Sequence, residues 1–229
     1  MKNNRTMLAT TARLSQEARR RTVLSGAAVA LGLILALSSP HSRAQGKSGG
    51  LTMQDKVLLE SGELVMKPKN EQRGSLKLFG GQSWQIVDVP PETAWRALQD
   101  LPRYKRFIPL ATESNIKGQH GEETDLSIRQ QWGPVDIRYV LQTTFDGDRK
   151  AMVFRLDHSQ GHELRAGWGF LRVRAWKDGK TLVSFGAMVD IGDGVLVSVI
   201  RPAVRKDLLR IPTKFKRYVE GDGRELYSQ

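Results

Sequence analysis

The chain has 229 residues, enough for one sizeable domain with appended segments, because domains commonly contain about 100–200 residues. Its 36 lysine and arginine residues outnumber its 24 acidic residues and give a net charge of +12. The lack of cysteine excludes disulfide bonds, thiolate metal sites, thiol nucleophiles and a lipidated cysteine. Many basic residues lie in the first 44 positions, so the remainder is only moderately basic and its charge alone does not predict nucleic-acid binding.

Residues 1–44 have the pattern of an export signal. An arginine cluster ending at Arg21 precedes the uncharged residues 23–37, a run of about 15 residues that is shorter than most membrane-spanning helices. Ser42 and Ala44 have the small side chains typical of a cleavage site. We therefore predict cleavage between Ala44 and Gln45.

The export route is suggested by the sequence RRTVL at residues 20–24. It resembles the twin-arginine motif, which implies export of an already folded protein, although Val23 stands where such signals favour phenylalanine. The general secretory route needs only the basic start and the apolar run, so it is the alternative. An uncleaved segment that anchors the domain to the inner membrane is a second alternative. All three place the body outside the cytoplasm, and we predict a periplasmic bacterial protein.

Residues 45–74 are predicted to be a flexible leader that contains one short helix and one short strand. Thr52 has the side chain of a helix N-cap, and Gly62 has the conformational freedom to end that helix. Residues 63–67 alternate like a strand, and the polar residues 68–74 resemble a linker.

The main domain is predicted to cover residues 75–221, with residues 222–229 as a C-terminal tail. An extended segment ends near Val89, and Pro91 then opens a helix, where proline is tolerated because the first helical N–H has no partner. A second small helix follows, and it is both basic and aromatic around Tyr104.

Beyond Leu110, apolar residues recur at every second position, which is typical of half-buried antiparallel strands. Hairpin turns are predicted at Gly133-Pro134, Asp146-Gly147 and Asp178-Gly179. The polar face changes register near Gly169, which predicts a glycine-assisted bulge.

The last part of the chain predicts one long amphipathic helix with candidate kinks at Pro202 and Pro212. Its apolar residues recur at spacings of three and four: Val197, Ile200, Val204, Leu208, Ile211, Phe215 and Val219. We therefore predict an α+β fold in which a curved antiparallel sheet of about six or seven strands wraps around the terminal helix. A single helix across a concave sheet encloses a cavity.

Four stretches of the sequence carry a family resemblance: VPPETAWRALQD and YKRFIP near the first helix, then AGWGF and TLVSFG in the closing strands. They resemble the corresponding segments of START-like (SRPBCC, helix-grip) domains. They cover about residues 63–221 and are most similar to the bacterial group with coenzyme-Q-binding and polyketide-cyclase-type members. The resemblance implies a cavity for lipids, isoprenoid quinones or polyketides, and in a minority of members a cyclase or dehydratase activity.

The candidate site residues are those predicted to lie on the inner faces of the strands and on the apolar face of the terminal helix. The cavity candidates are Gln130, Trp132, Ile137, Tyr139, Leu141, Phe154, Trp168, Phe185, Ile200, Val204, Leu208 and Ile211. The candidate hydrogen-bonding groups for a ligand head are Gln130, Tyr139 and His158. The candidate gate residues are Tyr104, Phe107 and Ile108, which we expect to form an apolar rim with basic neighbours.

Catalytic and metal motifs give no positive signal. The sequence has no HExxH, no GxSxG and no phosphate-binding glycine motif. His158 and His162 have metal-ligand spacing, but Gly161 and the strand context argue against a helical metal face. We assign no catalytic residue, no metal and no cofactor.

Three functions fit these observations. The first is a carrier or chaperone that binds an apolar molecule without catalysis, and the second is a cyclase or dehydratase that uses the same cavity. The third is a membrane-associated structural module whose core is filled by side chains. The basic residues of the terminal helix form either a solvated face or a surface that docks to an anionic membrane. We expect no nucleic-acid partner.

Overall fold

The computed structural model describes residues 50–132 and 135–228. The predicted signal segment, including Ala44 and Gln45, lies outside the described residues, and so does the predicted turn at Gly133-Pro134. The described residues belong to one unit, Gly46–Gln229. No helix in the described ranges has the length and apolar character needed to cross a membrane.

The secondary structure follows the predicted order of strand, helix, antiparallel strands and terminal helix. The helices are α1 (Met53–Glu60), α2 (Pro91–Gln99), α3 (Val195–Leu209), α4 (Ile211–Glu220) and α5 (Arg224–Tyr227), with short 3-10 helices at Leu101–Arg106 and Lys177–Gly179. The strands are β1 (Val65–Arg73), β2 (Leu76–Val87), β3 (Ala111–His120), β4 (Glu123–Trp132), β5 (Val135–Asp146), β6 (Ala151–Leu156), β7 (Ala166–Ala175) and β8 (Thr181–Asp190).

The strands form one antiparallel sheet in the order β1-β2-β8-β7-β6-β5-β4-β3. It has eight strands rather than six or seven, because β1 pairs with β2 from Val65 opposite Trp84 to Arg73 opposite Leu76. Residues 68–74, which we expected to be a linker, therefore lie largely in an edge strand. The predicted α+β architecture is confirmed.

The N-terminal helix α1 begins after the predicted N-cap Thr52, which forms a capping box with Asp55 that we did not predict. The Thr52 hydroxyl accepts a hydrogen bond from the Asp55 backbone N–H, and the Asp55 carboxylate accepts one from the Thr52 backbone N–H. A hydrogen bond from Lys67 lowers the pKa of Asp55 to about 2. Leu59 packs in a small cluster with Trp84 and its neighbours. These contacts hold the segment before residue 75 against the sheet.

The predicted bulge near Gly169 is wrong. The β7–β8 register runs unbroken from Ala166 opposite Asp190 to Ala175 opposite Thr181. Glycine is needed at position 169 for another reason, because a Cβ there would lie 2.2 Å from the Gly186 backbone oxygen. The register shifts of the sheet lie instead between β3 and β4.

The single terminal helix that we expected is divided into α3 and α4 at Arg210. Pro212 lies in the first turn of α4 and has no N–H to continue the α3 hydrogen-bond ladder, so the chain starts a new helix there. Pro202 lies inside α3. The predicted C-terminal tail is also ordered, because it forms α5 and buries Tyr227.

The main core lies between the concave face of the sheet, α2, the 3-10 helix Leu101–Arg106 and α4. Phe107 and Phe215 are fully buried at its centre, with ring centroids 5.1 Å apart in an edge-to-face arrangement. This cluster fills one end of the concavity. The other end, beneath α3, is less completely filled.

Candidate ligand-binding cavity

A cavity of about 170 Å³ lies between the concave face of the sheet and α3. Its lining is mostly aliphatic and aromatic: Tyr104, Ile108, Pro109, Leu110, Leu126, Gln130, Gln131, Ile137, Tyr139, Leu141, Thr143, Met152, Phe154, Leu164, Gly167, Leu171, Phe185, Ala187, Val189, Ile191, Ile200, Ala203, Val204, Asp207, Leu208 and Ile211. The volume is below the roughly 300–1,000 Å³ of typical small-molecule pockets. The arrangement nevertheless provides an apolar space that reaches the surface beside exposed Leu110 and Ala203.

The cavity exists because small residues occupy positions on the concave face. Gly167 and Leu171 share one face of β7, and both line the cavity. Gly167 has no side chain, and a Cβ there would meet its nearest neighbours at 3.8 Å, which is ordinary contact. Ala187 on β8 also lines the cavity, and its methyl side chain fills little of the space. The helix covers this shallow region without filling it.

Gln130 and Tyr139 form a hydrogen-bonded pair in the cavity wall. The Tyr139 hydroxyl donates to the Gln130 side-chain oxygen at 2.9 Å, and the Gln130 side-chain nitrogen donates to the Pro109 carbonyl at 2.6 Å. Burial raises the pKa of Tyr139, so this hydroxyl is neutral at ordinary pH. The Tyr139 oxygen retains capacity to accept a hydrogen bond from a ligand.

The other hydroxyl groups of the wall are also bound within the protein. The Thr143 hydroxyl donates to the Thr124 carbonyl at 2.7 Å. The Tyr104 hydroxyl donates to the Leu98 carbonyl at 2.5 Å. Burial, followed by the nearby Asp100 charge, raises the pKa of Tyr104. These bonds let polar side chains face an apolar space without leaving their donors unpaired.

Most of the predicted cavity residues lie together in this wall, although a role in binding stays a prediction. The residues brought together are Gln130, Ile137, Tyr139, Leu141, Phe154, Phe185, Ile200, Val204, Leu208 and Ile211. The side chain of Trp132 lies outside the described part of the structure. Trp168 does not line the cavity, contrary to our expectation: its ring packs beneath the Arg73 guanidinium at 5.1 Å. Gly167, not Trp168, occupies the cavity-facing position.

Two of the three predicted gate residues are fixed in the core. Tyr104 is 1% exposed and Phe107 is 0% exposed, so neither forms a surface rim. Phe107 does not line the cavity, and Tyr104 contributes to its inner wall. Ile108 is partly buried and does line the cavity. The predicted basic and aromatic rim therefore has its aromatic part inside the protein.

His158 lies outside the cavity. It is exposed, and its ring meets that of His162 edge-on with centroids 5.1 Å apart. Of the three predicted hydrogen-bonding groups, only Gln130 and Tyr139 reach the cavity wall. In residues 50–132 and 135–228, no three histidine or acidic side chains are grouped so that they could hold a metal ion.

Asp207 was missed by the sequence analysis. It is the one acidic side chain that the described residues contribute to the lining. Its position could have been found from the helical spacing, because it lies three residues after Val204 and four before Ile211. The prediction selected only the apolar residues of this helix face, and it therefore omitted an acidic residue on the same face.

Comparisons with known proteins support the fold. No family model matches the sequence, and no curated protein matches it. The crystal structure of TTHA0849 from Thermus thermophilus aligns with a TM-score of 0.53 at 12% identity, covering 62% of this chain and 97% of that chain. The Zhui aromatase/cyclase from Streptomyces sp. R1128 aligns at 0.49 and 13% identity, over 69% of this chain and 99% of that chain.

A START superfamily protein from Mycobacterium smegmatis aligns with a TM-score of 0.47 at 13% identity, covering 71% of this chain and 98% of that chain. At such identities the similarity concerns the fold and not the activity. The eight-stranded curved sheet, the helices after β2 and the C-terminal helices show the architecture independently of these comparisons. The chain therefore has the α+β helix-grip architecture that its sequence motifs predicted.

Proposed function

We propose that this protein binds an apolar small molecule in the cavity beneath α3 and shields it from water, as a carrier rather than a catalyst. The observation that supports this most is the cavity of about 170 Å³ with its mostly apolar lining. Each buried methylene of a ligand contributes about 0.8 kcal/mol, so even a small apolar group gains useful affinity there.

The cavity volume limits what this conformation can hold. An apolar protein cavity of roughly 150 Å³ accepts benzene, so a single ring or the end of an isoprenoid chain is a suitable occupant. A complete lipid or quinone requires α3 to move away from the sheet. The break between α3 and α4 at Arg210 is a suitable point for such a movement.

A cyclase or dehydratase activity is the alternative, and Asp207 is the observation that favours it. A carboxylate beside an apolar cavity is able to act as a general base. Tyr139 offers little help with proton transfer, because burial raises its pKa and its hydrogen is already donated to Gln130. With one candidate acid-base group in the described lining, binding is the better supported function.

A structural module with a filled core is less well supported. Interiors of folded proteins are packed so closely that voids larger than one water molecule are few. The space beneath α3 is many times larger than such a void. Filling it with side chains would have required larger residues than Gly167 and Ala187 on the concave face.

We further propose that the protein is exported and that it docks to an anionic membrane surface. The first point rests on the sequence pattern of residues 1–44. The second rests on exposed basic residues on two elements, Lys206 on α3 and Lys105 and Arg106 on the 3-10 helix. Basic residues near an anionic leaflet contribute about 1 kcal/mol each.

Cavity filling tests the proposed binding site. We expect Gly167→Leu to weaken the binding of toluene by about tenfold or more, because the new side chain occupies the space that the ring needs. Ligand-observed NMR titration of the full chain measures this change. The matched control is Gly147→Leu, since Gly147 is exposed and has open space around its Cβ position. Unchanged affinity in Gly167→Leu would place the toluene site elsewhere.

A further inference from the structure

Asp207 places a carboxylate on the wall of a mainly apolar cavity. It lies on α3 between Val204 and Ile211, and both of these residues also line the cavity. Positions three and four residues apart share one helix face. Asp207 is therefore on the face that α3 turns towards the sheet. Its partial exposure places it close to the opening of the cavity.

The Asp207 carboxylate has no hydrogen-bond or ion-pair partner among the described residues. Other acids of the fold do have partners: Asp136 pairs with Arg129 at 2.6 Å, and Asp193 pairs with Lys77 at 2.8 Å. A carboxylate that loses water without gaining a donor is costly. When a ligand fills the cavity and displaces water, Asp207 needs a donor from that ligand.

Other polar groups of the cavity wall do not supply this donor. The Tyr139 hydrogen is donated to Gln130, and the Gln130 amide is donated to Pro109. Both bonds are internal to the wall on the sheet side. The Gln131 side chain, which also lines the cavity, hydrogen-bonds to Asp136. Asp207 is therefore the one carboxylate acceptor of the described lining, beside the neutral oxygens of Tyr139 and Gln131.

We propose that Asp207 selects the ligand, accepting a hydrogen bond from its hydroxyl or amine group and disfavouring ligands that end in a carboxylate. The inference rests on the proposed cavity-binding function and adds the chemical class of the ligand: an apolar body with a hydrogen-bond donor at one end. Hydrogen bonds to charged groups are among the stronger ones. Like charges in a site of reduced dielectric repel each other.

Three ring-sized probes with different polar ends test this selection. Benzyl alcohol carries a donor, benzoate carries a carboxylate, and toluene carries neither. We expect the full chain to bind benzyl alcohol at least about tenfold more tightly than benzoate, measured by ligand-observed NMR titration. In Asp207→Asn this preference should fall by at least about threefold, because the repulsion between two carboxylates is removed while the apolar lining still disfavours benzoate. In Asp207→Ala the affinity of benzyl alcohol relative to toluene should also fall, because the hydrogen-bond acceptor is lost.

The control is Asp178→Asn, which removes the same charge at an exposed position outside the cavity. Asp178 has a φ of 55°, a conformation that asparagine also accepts, and this variant should keep the full preference. Equal binding of benzyl alcohol and benzoate by the wild type, or an unchanged preference in Asp207→Asn, would overturn the role of Asp207. Binding of toluene in the same experiment would still support the cavity. If none of the three probes binds, both the cavity function and the selection by Asp207 are wrong.

Discussion

Replacing Phe107 with alanine is expected to lower the free energy of unfolding by about 3–5 kcal/mol. The ring is fully buried, and its centroid lies 4.6 Å from that of Tyr104 and 5.1 Å from that of Phe215. It joins the 3-10 helix region to α4, so its removal leaves a cavity between elements that are distant in sequence. Urea denaturation of the full chain, monitored by circular dichroism, measures the loss.

The control for Phe107→Ala is Val153→Ala, at a strand position that is 53% exposed. This substitution should change the free energy of unfolding by no more than about 0.5 kcal/mol. A comparably small loss of unfolding free energy in Phe107→Ala would mean that the ring lies at the surface. That result would support the predicted gate and contradict the buried position.

Replacing Tyr227 with alanine is expected to cost about 3–5 kcal/mol of stability, although it lies near the end of the chain. Tyr227 is 6% exposed, and its hydroxyl donates to the Asp100 carboxylate at 2.7 Å. The Tyr218 hydroxyl oxygen lies 2.9 Å from the Tyr227 hydroxyl oxygen. Tyr227 thereby connects α5 by hydrogen bonds to the end of α2 and to α4.

The hydroxyl and the ring of Tyr227 can be separated experimentally. Tyr227→Phe should cost about 1–3 kcal/mol, because Asp100 and Tyr218 each lose a hydrogen-bond partner in a mostly dehydrated place. Leu226→Ala is the neighbouring control, since Leu226 is 47% exposed, and it should have little effect. Thermal unfolding monitored by circular dichroism ranks the variants. Equal stability of Tyr227→Ala and Leu226→Ala would show that the C-terminal segment is not part of the core.

The sequence predicted elements whose signals are local and strong. Thr52 was predicted as the N-cap of α1, and Pro91 at the start of α2 is a helix signal of the same kind. The predicted β1 is too short, because Pro68 and the charged residues after it resemble a linker. In the fold, β1 is an edge strand, where proline is tolerated and most side chains face solvent.

The error at Trp168 has a physical cause that also explains the cavity. Sequence patterns assign a strand's inner face to its large apolar residues, and on β7 these include Trp168 and Phe170. The inner face holds Gly167 and Leu171 instead. Glycine contributes no hydrophobic signal, so periodicity cannot detect the residue that leaves space for the cavity.

The burial of the aromatic residues near Phe107 could not be predicted from the sequence alone. The sequence shows that Tyr104 and Phe107 lie among basic residues, but not that the 3-10 helix turns them inward while Lys105 and Arg106 stay exposed. The resemblance predicted the fold and the position of the cavity. The internal hydrogen bonds of Gln130 and Tyr139 depend on the register between β4 and β5.

The most direct test of the proposed function is organic extraction of the purified full chain from its native host, followed by mass spectrometry. We expect one apolar molecule with a hydroxyl or amine group at close to one copy per protein, and we expect it to be depleted from Gly167→Leu but not from Gly147→Leu. Repeated extracts of folded wild-type protein without such a molecule, or equal amounts from wild type and Gly167→Leu, would contradict the proposal that the cavity beneath α3 is the binding site.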